Sequence, residues 1–577
     1  MAENKISLRL GGPAGTGIMN TGLVFAKCCS RIGLHVFDYI EYPSLIRGGH
    51  NTYHVRAEDR PVYSQIRIVD ILIALDEESL TLHKDELKED SFVFYDEKSV
   101  NPDRAGLKRG IRCPLPLKEI VTAAGGDEIM QNTVALAAAL GVMSYPFPVF
   151  QQIIEESFKG KPSEVAAKNV EVARHGYEHA RQEYGHLSHY KLSPVKAPER
   201  MIVSGNEAVA LGAIAAGLHF FAAYPMTPAS NVLHTLAALQ EKHDYVVKHA
   251  EDEISAVNMV IGAGYAGCRS MTATSGGGFA LMNEGVSLAG ITETPIVINE
   301  VMRGGPATGL PTWTGQDDLQ WVLHAGHGEF LRIVLAPSDI EESFWMAAEA
   351  FNLAEKYQTP VLLITDKYLA ESHKSVPVFD TSKVKIDRGK LLRKAPENFR
   401  RYQDTADGIS PRTIPGVKNG LFLANSDEHD EYGWSTEEIA MRNKMVEKRA
   451  RKQKALEAEM PQPRLIGLEH AELTFVTWGS NKGPILEAMR WLEKEGVKTN
   501  LLQITWLNPF PAATVTKLLQ NAKRTLLVEC NHDGQLGNVI REKTGILLTE
   551  RLLKYDGRPF YPEEVYERAK KVIGGGR

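Results

Sequence analysis

The chain has 577 residues, of which 43% are hydrophobic and 24% charged, and its formal net charge is −6. That balance argues against a dedicated nucleic-acid surface, and no lysine–arginine block is long enough to restore one. No apolar run approaches the ~20 residues of a membrane span, the N-terminus shows no signal-peptide core, and the length suggests about three to four domains.

Five cysteines, Cys28, Cys29, Cys113, Cys268 and Cys530, are scattered and contain no Cys-x-x-Cys pair. They describe neither a disulfide framework nor a usual iron–sulfur or structural zinc site, so a reducing cytoplasm is expected and no metal site is assigned. Lys5 to Leu10 reads as a strand that runs into Gly11-Gly-Pro-Ala-Gly-Thr-Gly17 and a helix from Ile18. A strand, a glycine-rich turn and a helix N-terminus accept phosphate, although a ligand-free tight turn has the same pattern. The glycines at 12, 15 and 17 do not match the full dinucleotide fingerprint. A strand from His35 leads to a polar loop, 41–51, with Gly48 and Gly49 beside Arg47. Alternating segments continue, so 1–185 reads as one α/β domain and 186–199 as a linker.

A second α/β domain is expected over 200–375. Tyr224-Pro-Met-Thr-Pro228 lies between two helices, and its prolines hold Thr227 on a stiff turn. Glu251-Asp-Glu253 opens a helix of small residues; acidic residues suit a helix start, but three exceed that need. A strand at 271–274 opens onto Ser275-Gly-Gly-Gly278, and one at 295–300 onto Val301 to Gly309, with Arg303 in that loop. Strands ending in such loops describe a doubly wound sheet with its ligand at the carboxyl edge, where 224–228, 275–278 and 303–309 converge. Strand patterning fades over 376–465, where a charged helix from Glu437 to Glu459 has a cationic middle that suits a solvated face or a docking helix. A last α/β unit, 466–577, carries the turn Cys530 to Leu536.

Four of these stretches together resemble the 2-oxoacid:ferredoxin oxidoreductases, which use thiamine diphosphate and coenzyme A. They are Tyr224 to Pro228, Glu251 to Ala256, Arg303-Gly-Gly-Pro-x-Thr-Gly309 and Val528-Glu-Cys-Asn-x-x-Gly-Gln-Leu536. The first domain is similar to the family's γ component through Gly12 to Gly17 and Arg47 to Gly49. The resemblance covers nearly the whole chain and implies a fused γ–α subunit, most similar to the 2-oxoglutarate-type (KorA-like) α chains. Its implied architecture is a pyrimidine-type thiamine domain between a γ-like α/β domain and a transketolase-C-like α/β domain. The family's Gly-Asp-Gly motif is missing, Asp533-Gly534 and Gly126-Asp127 being the nearest fragments, and so are its cluster cysteines. Both belong to the family's β subunit, so Mg²⁺ and a [4Fe-4S] cluster are expected there. The expected assembly is (αβ)₂, with ferredoxin as acceptor.

Residue by residue, the resemblance makes Glu253 the carboxyl group at the aminopyrimidine, because Gly262 lies nine residues on. A plain capping carboxylate is the alternative. Thr227 and Arg303 carry over as substrate-binding residues, an arginine fork suiting a carboxylate, although a surface arginine beside glycines reads the same way. Tyr224, Pro225 and Ser275 join the cofactor site. Gly12, Gly15, Arg47, Gly48 and Gly49 are where coenzyme A would touch. The implied reaction converts 2-oxoglutarate to succinyl-CoA, or runs in reverse to fix CO₂. Pyruvate, branched-chain 2-oxo acids and a non-redox transketolase-like component stay open.

Overall fold

The computed structural model describes residues 2–45 and 48–575, so Arg47 lies outside the described residues. Among them no helix is long and apolar enough to cross a membrane. The chain forms two compact units: residues 1–203 with 372–378 and 561–564, and the remainder.

The first unit is built on an eight-stranded mixed sheet. Its order is Ile111–Leu115, Leu87–Asp96, Val69–Ala74, Lys5–Pro13, His50–Glu58, His35–Glu41, His373–Pro377, Arg200–Ser204. The first four strands are parallel, and pairing turns antiparallel where Lys5–Pro13 meets His50–Glu58. Most of Lys5–Pro13 is buried, as expected of a central strand covered on both faces. The glycine-rich turn and the 41–51 loop become neighbours through that antiparallel pairing, Gly12 opposite Asn51 and Pro13 opposite His50. The 186–199 stretch packs against this unit: Tyr190–Lys191 pairs with Ala2–Glu3, and Val195 N donates to Ile32 O at 2.7 Å.

The second unit contains two sheets. One has seven strands in the order Val246–His249, Phe220–Ala223, Ser270–Thr274, Ile296–Met302, Pro360–Asp366, Ile333–Leu335, Trp506–Asn508, all parallel except the last pair. Chain order reverses beside Phe220–Ala223, which places a topological switch point between it and Ser270–Thr274. The other sheet has five strands, including Leu473–Thr477, Thr499–Gln503 and Thr525–Glu529.

Between them, the stretch after 378 is held mainly by ionic contacts rather than by a sheet. Glu355 takes Arg269, Arg388 and Arg412. The one long helix, Ile439–Glu457, turns its cationic middle inward: Lys448, Arg449 and Lys452 are buried. Lys448 Nζ lies 2.6 Å from Glu293 Oε1 and Lys452 Nζ 2.7 Å from Glu293 Oε2. The helix therefore docks through its charges, the second of the two readings its sequence allowed.

Candidate active site

Four parallel neighbouring strands send their carboxyl ends to one edge of the seven-stranded sheet. Phe220–Ala223 leads into 224–228, Val246–His249 into 251–253, Ser270–Thr274 into 275–278, and Ile296–Met302 into 303–309. The loops flanking the switch point are those bearing Thr227 and Ser275.

The three acidic residues at 251–253 separate cleanly. Asp252 is the N-cap of the Glu253–Tyr265 helix, its Oδ1 accepting from Ser255 N at 2.7 Å. That bond draws the Asp252 carboxylate below its usual range. Glu251 is exposed. Glu253, at the first helical position, is only 4% exposed, and its Oε1 has no hydrogen-bond partner. The capping role is thus filled next door, leaving a buried carboxyl oxygen without a structural duty. Glu253 presses on the glycine turn: a Cβ at Gly278 would stand 2.6 Å from Glu253 Oε1 and 2.1 Å from Thr274 Oγ1. Only glycine leaves that space.

The other loops close around this turn. Thr274 Oγ1 reaches Met226 Sδ at 4.0 Å, joining the 275–278 turn to the Tyr224–Pro228 segment. Arg303 Nη1 donates to Thr227 O at 2.6 Å. The guanidinium is half-buried and makes no ion pair with a described residue, so the rest of its fork is available to an anion. The Thr227 hydroxyl donates to no described residue, and the Thr227–Pro228 peptide is cis. Ser275 is fully buried, and its Oγ finds no partner although it stands at a helix start. Tyr224 is 41% exposed, its ring 6.2 Å from that of His249, and Pro225 is half-buried beside it. The structure thus brings Thr227, Glu253, Ser275 and Arg303 to one sheet edge.

Two residues were missed by the sequence reading. Glu300 sits in the buried strand Ile296–Met302, opposite Thr274, and is 0% exposed. Neither of its carboxyl oxygens has a hydrogen-bond partner among the described residues, and burial, with the Asp318 charge as a second cause, holds the carboxyl well above its usual range. Asp318 in turn lies under Gly276, where a Cβ would stand 2.3 Å from Asp318 Oδ2. A glutamate beside Asn299 in a strand whose other residues are apolar was the available signal; nothing local marked Asp318. The Val528–Leu536 signature proves to be a clasp. Glu529 accepts from Trp478 Nε1, Asn531 Nδ2 and Leu536 N at 3.1, 2.9 and 2.9 Å. Cys530 N donates to Gln316 Oε1 at 2.9 Å, and Gln535 Nε2 to Asp317 O at 2.6 Å, which ties down the segment following the Arg303 loop.

In the first unit, Gly12 and Gly15 adjoin Gly48 and Gly49, Ala14 N donating to Gly49 O at 3.3 Å. A Cβ at Gly15 or Gly48 would meet nothing within 4 Å, so both backbones are open to a ligand. A cavity of about 330 Å³ beside Gly15 and Thr16 carries Asp96 and Glu128 and, among the described residues, no cation. Behind Gly49, His50 Nε2 lies 2.9 Å from His83 Nε2, and burial pushes His50 down to about 4.

A doubly wound parallel sheet with an orphan buried glutamate at its carboxyl edge is the architecture of a cofactor-dependent α/β enzyme. Residues 211–448 match the family model described as pyruvate flavodoxin/ferredoxin oxidoreductase, thiamine diphosphate-binding. Residues 7–179 match pyruvate ferredoxin/flavodoxin oxidoreductase, and 471–565 match pyruvate:ferredoxin oxidoreductase core domain II. The α subunit of 2-oxoacid:ferredoxin oxidoreductase 2 from Aeropyrum pernix is 36% identical over 99% of this chain and 98% of its own. The KorA subunit of 2-oxoglutarate synthase from Methanothermobacter thermautotrophicus is 33% identical over 65% of this chain and 99% of its own. A solved structure of 2-oxoglutarate:ferredoxin oxidoreductase from Magnetococcus marinus, with 2-oxoglutarate, coenzyme A and succinyl-CoA bound, superposes with a TM-score of 0.92. It is 34% identical and covers 99% of this chain and 100% of that one. The chain belongs to the 2-oxoacid:ferredoxin oxidoreductase family, as an α subunit.

Proposed function

We propose that this chain is the pyrimidine-binding half of a coenzyme A-acylating oxidoreductase that converts 2-oxoglutarate to succinyl-CoA and reduces ferredoxin. Its partner is a β subunit supplying the Mg²⁺–diphosphate contacts and the [4Fe-4S] cluster, in an (αβ)₂ assembly located in the cytoplasm. The observation that carries the reading is the buried Glu253 oxygen without a partner, facing the Gly276–Gly278 turn with Thr227 and Arg303 alongside.

The residues fit thiamine diphosphate. Glu253 would hold a proton at N1′ of the aminopyrimidine, a role requiring a carboxyl group aimed from a dry wall. The orphan Ser275 hydroxyl, with Tyr224 and Pro225, would line the same site. When bound, the cofactor supplies the nucleophilic carbon and the electron sink for loss of CO₂. Arg303 and Thr227 would orient the carboxylate adjacent to the ketone. Arg303 offers the fork not taken by Thr227 O, and Thr227 its uncommitted hydroxyl. Gly12, Gly15, Gly48 and Gly49, with Arg47 outside the described residues, are proposed to approach coenzyme A. The open backbone at Gly15 and Gly48 supports that placement, while the acidic lining beside Thr16 does not favour a phosphate at that spot.

Support for 2-oxoglutarate comes from the ligands named for the Magnetococcus protein and from the KorA relative. The test is co-expression with the neighbouring β-type reading frame and measurement of CoA-dependent viologen reduction. 2-Oxoglutarate should have the highest kcat/KM. A preference for pyruvate or a branched-chain 2-oxo acid would overturn the substrate, and decarboxylation without electron transfer would overturn the reaction class. The chain alone should be inactive.

A further inference from the structure

Arg303 is the cation of the proposed substrate site, and the loop that carries it has an exposed crest and a buried foot. Residues 305–310 are exposed, whereas Thr314, Gly315 and Gln316 are buried. Gln316 is bonded through side chain and backbone alike. Its Oε1 accepts from Asn481 Nδ2 at 2.8 Å and from Cys530 N at 2.9 Å. Its backbone N donates to Cys530 O at 2.8 Å, and its carbonyl accepts from Asn531 Nδ2 at 3.0 Å. On either side of it, Thr314 N donates to Gly557 O at 3.1 Å, and Asp317 O accepts from Gln535 Nε2 at 2.6 Å.

The foot also touches the stem. Gly315 backs onto Gly304, the residue after Arg303: a Cβ on Gly315 would stand 3.0 Å from Gly304 N and Cα. Asp317 Oδ2 accepts from Gly305 N at 3.1 Å, and Leu310 N donates to Gly304 O at 2.8 Å, which shuts the loop on itself. A shift of Gln316 therefore reaches Gly304 through one backbone contact, and Arg303 is the next residue along. A planar fork matches a carboxylate only when it is correctly aimed, and a misplacement of about 1 Å forfeits much of that match.

We propose that Gln316 is a positioning residue: by fixing the foot of the Arg303 loop to Asn481 and Cys530, it aims the guanidinium at the carboxylate of the 2-oxo acid. The inference rests on the substrate role assigned to Arg303 above. It gives the Cys530–Asn531 turn a part in reading substrate rather than in activating cofactor.

In the assembled enzyme, Gln316→Ala should raise KM for the 2-oxo acid about tenfold, the scale on which residues coupled through a packed network alter binding, with kcat changing less. KM for coenzyme A and exchange of the thiamine C2 proton should stay near wild type. Gln316→Glu keeps the oxygen that Asn481 and Cys530 bond, and should recover most of the loss. Gly315→Ala guards against a folding defect at Gln316: it keeps every bond of that residue but crowds Gly304, and should raise KM in the same direction. Added to Arg303→Ala, Gln316→Ala should change KM by less than about twofold further, because the two act through one group. A wild-type KM in Gln316→Ala or in Gly315→Ala, a C2 exchange that falls along with binding, or a full further loss in the double variant would overturn the proposal. Backbone hydrogen exchange of the full chain reads the tether without turnover. Gln316→Ala should speed exchange at Gly305 and Leu310 and leave the Glu253–Tyr265 helix as it is in wild type. Unchanged exchange at those two amides overturns the tether. Faster exchange together with a wild-type KM in Arg303→Ala overturns the substrate role of Arg303 instead, and the positioning role with it.

Discussion

Glu253 and Glu293 are both glutamates buried in the second unit, and their surroundings are opposite. Glu293 is matched by Lys448 and Lys452, and those cations hold its carboxyl far below the usual range against the effect of burial. Burial in turn pulls Lys452 down to about 7. Glu253 is as dry but has one oxygen with no partner at all. A buried carboxyl costs stability unless it is paired. The chain meets that cost with cations where a helix must dock, and leaves it unmet where the proposed function places a ligand. Partnering, rather than burial, separates scaffold from site.

The comparison breaks most severely at Glu293. Glu293→Gln strands two buried lysines and should lower unfolding stability by about 3–5 kcal/mol, read by denaturant titration. The wild-type contribution of Glu293 is fully present above about pH 4.3 and drains away as acid lowers the pH further, because the folded state binds fewer protons than the unfolded one. The variant should lose that acid-side slope. Lys452 has the opposite sense: the cost of its buried charge is complete below about pH 7 and is relieved towards pH 10.4, so stability on its account rises with pH over that window.

Glu253→Gln should do the reverse of Glu293→Gln. Turnover should fall by at least ~10²-fold, the size of a general acid–base contribution, while the unfolding midpoint stays near wild type. Glu251→Gln, at an exposed position, should be mild. A damaging Glu251→Gln with a silent Glu253→Gln would reassign the carboxyl.

Arg303→Ala sharpens the distinction between recognising substrate and activating cofactor. Loss of a charge-assisted pair costs about 2–5 kcal/mol, or roughly 30- to several-thousand-fold in kcat/KM, for every 2-oxo acid tested. Exchange of the thiamine C2 proton, which the proposed role assigns to Glu253, should survive in this variant. Collapse of that exchange would make Arg303 a structural prop for the Thr227 turn, to which it donates.

The smallest effect is expected at Gly262, on the same helix as Glu253. A Cβ there meets nothing within 4 Å, so Gly262→Ala should stabilise the isolated chain by about 0.5–1 kcal/mol through the backbone entropy of glycine. Gly278→Ala, whose Cβ would strike Glu253, should instead abolish turnover. The pair of glycines thus repeats the contrast of the two glutamates in backbone form.

Much of the site was legible in the chain itself. Strand–loop alternation over 220–302 placed four loops at one sheet edge, because parallel strands joined by helices must expose their carboxyl ends together. The prolines around Thr227, the glycines after Ser275 and the arginine after the fourth strand are local chemistry, and local chemistry is written in spacing. Other features were decided only by folding. Which of Glu251, Asp252 and Glu253 would cap the helix and which would be buried depended on the face that the helix turns to its sheet. Lys448 reaches Glu293 from a helix more than a hundred residues on. The segment 372–378 leaves the second unit to add a strand to the first, a pairing that no local periodicity encodes. Spacing along the chain specifies what each short stretch can become. Which distant charges then cancel one another depends on register and packing, and those exist only once the sheets have assembled.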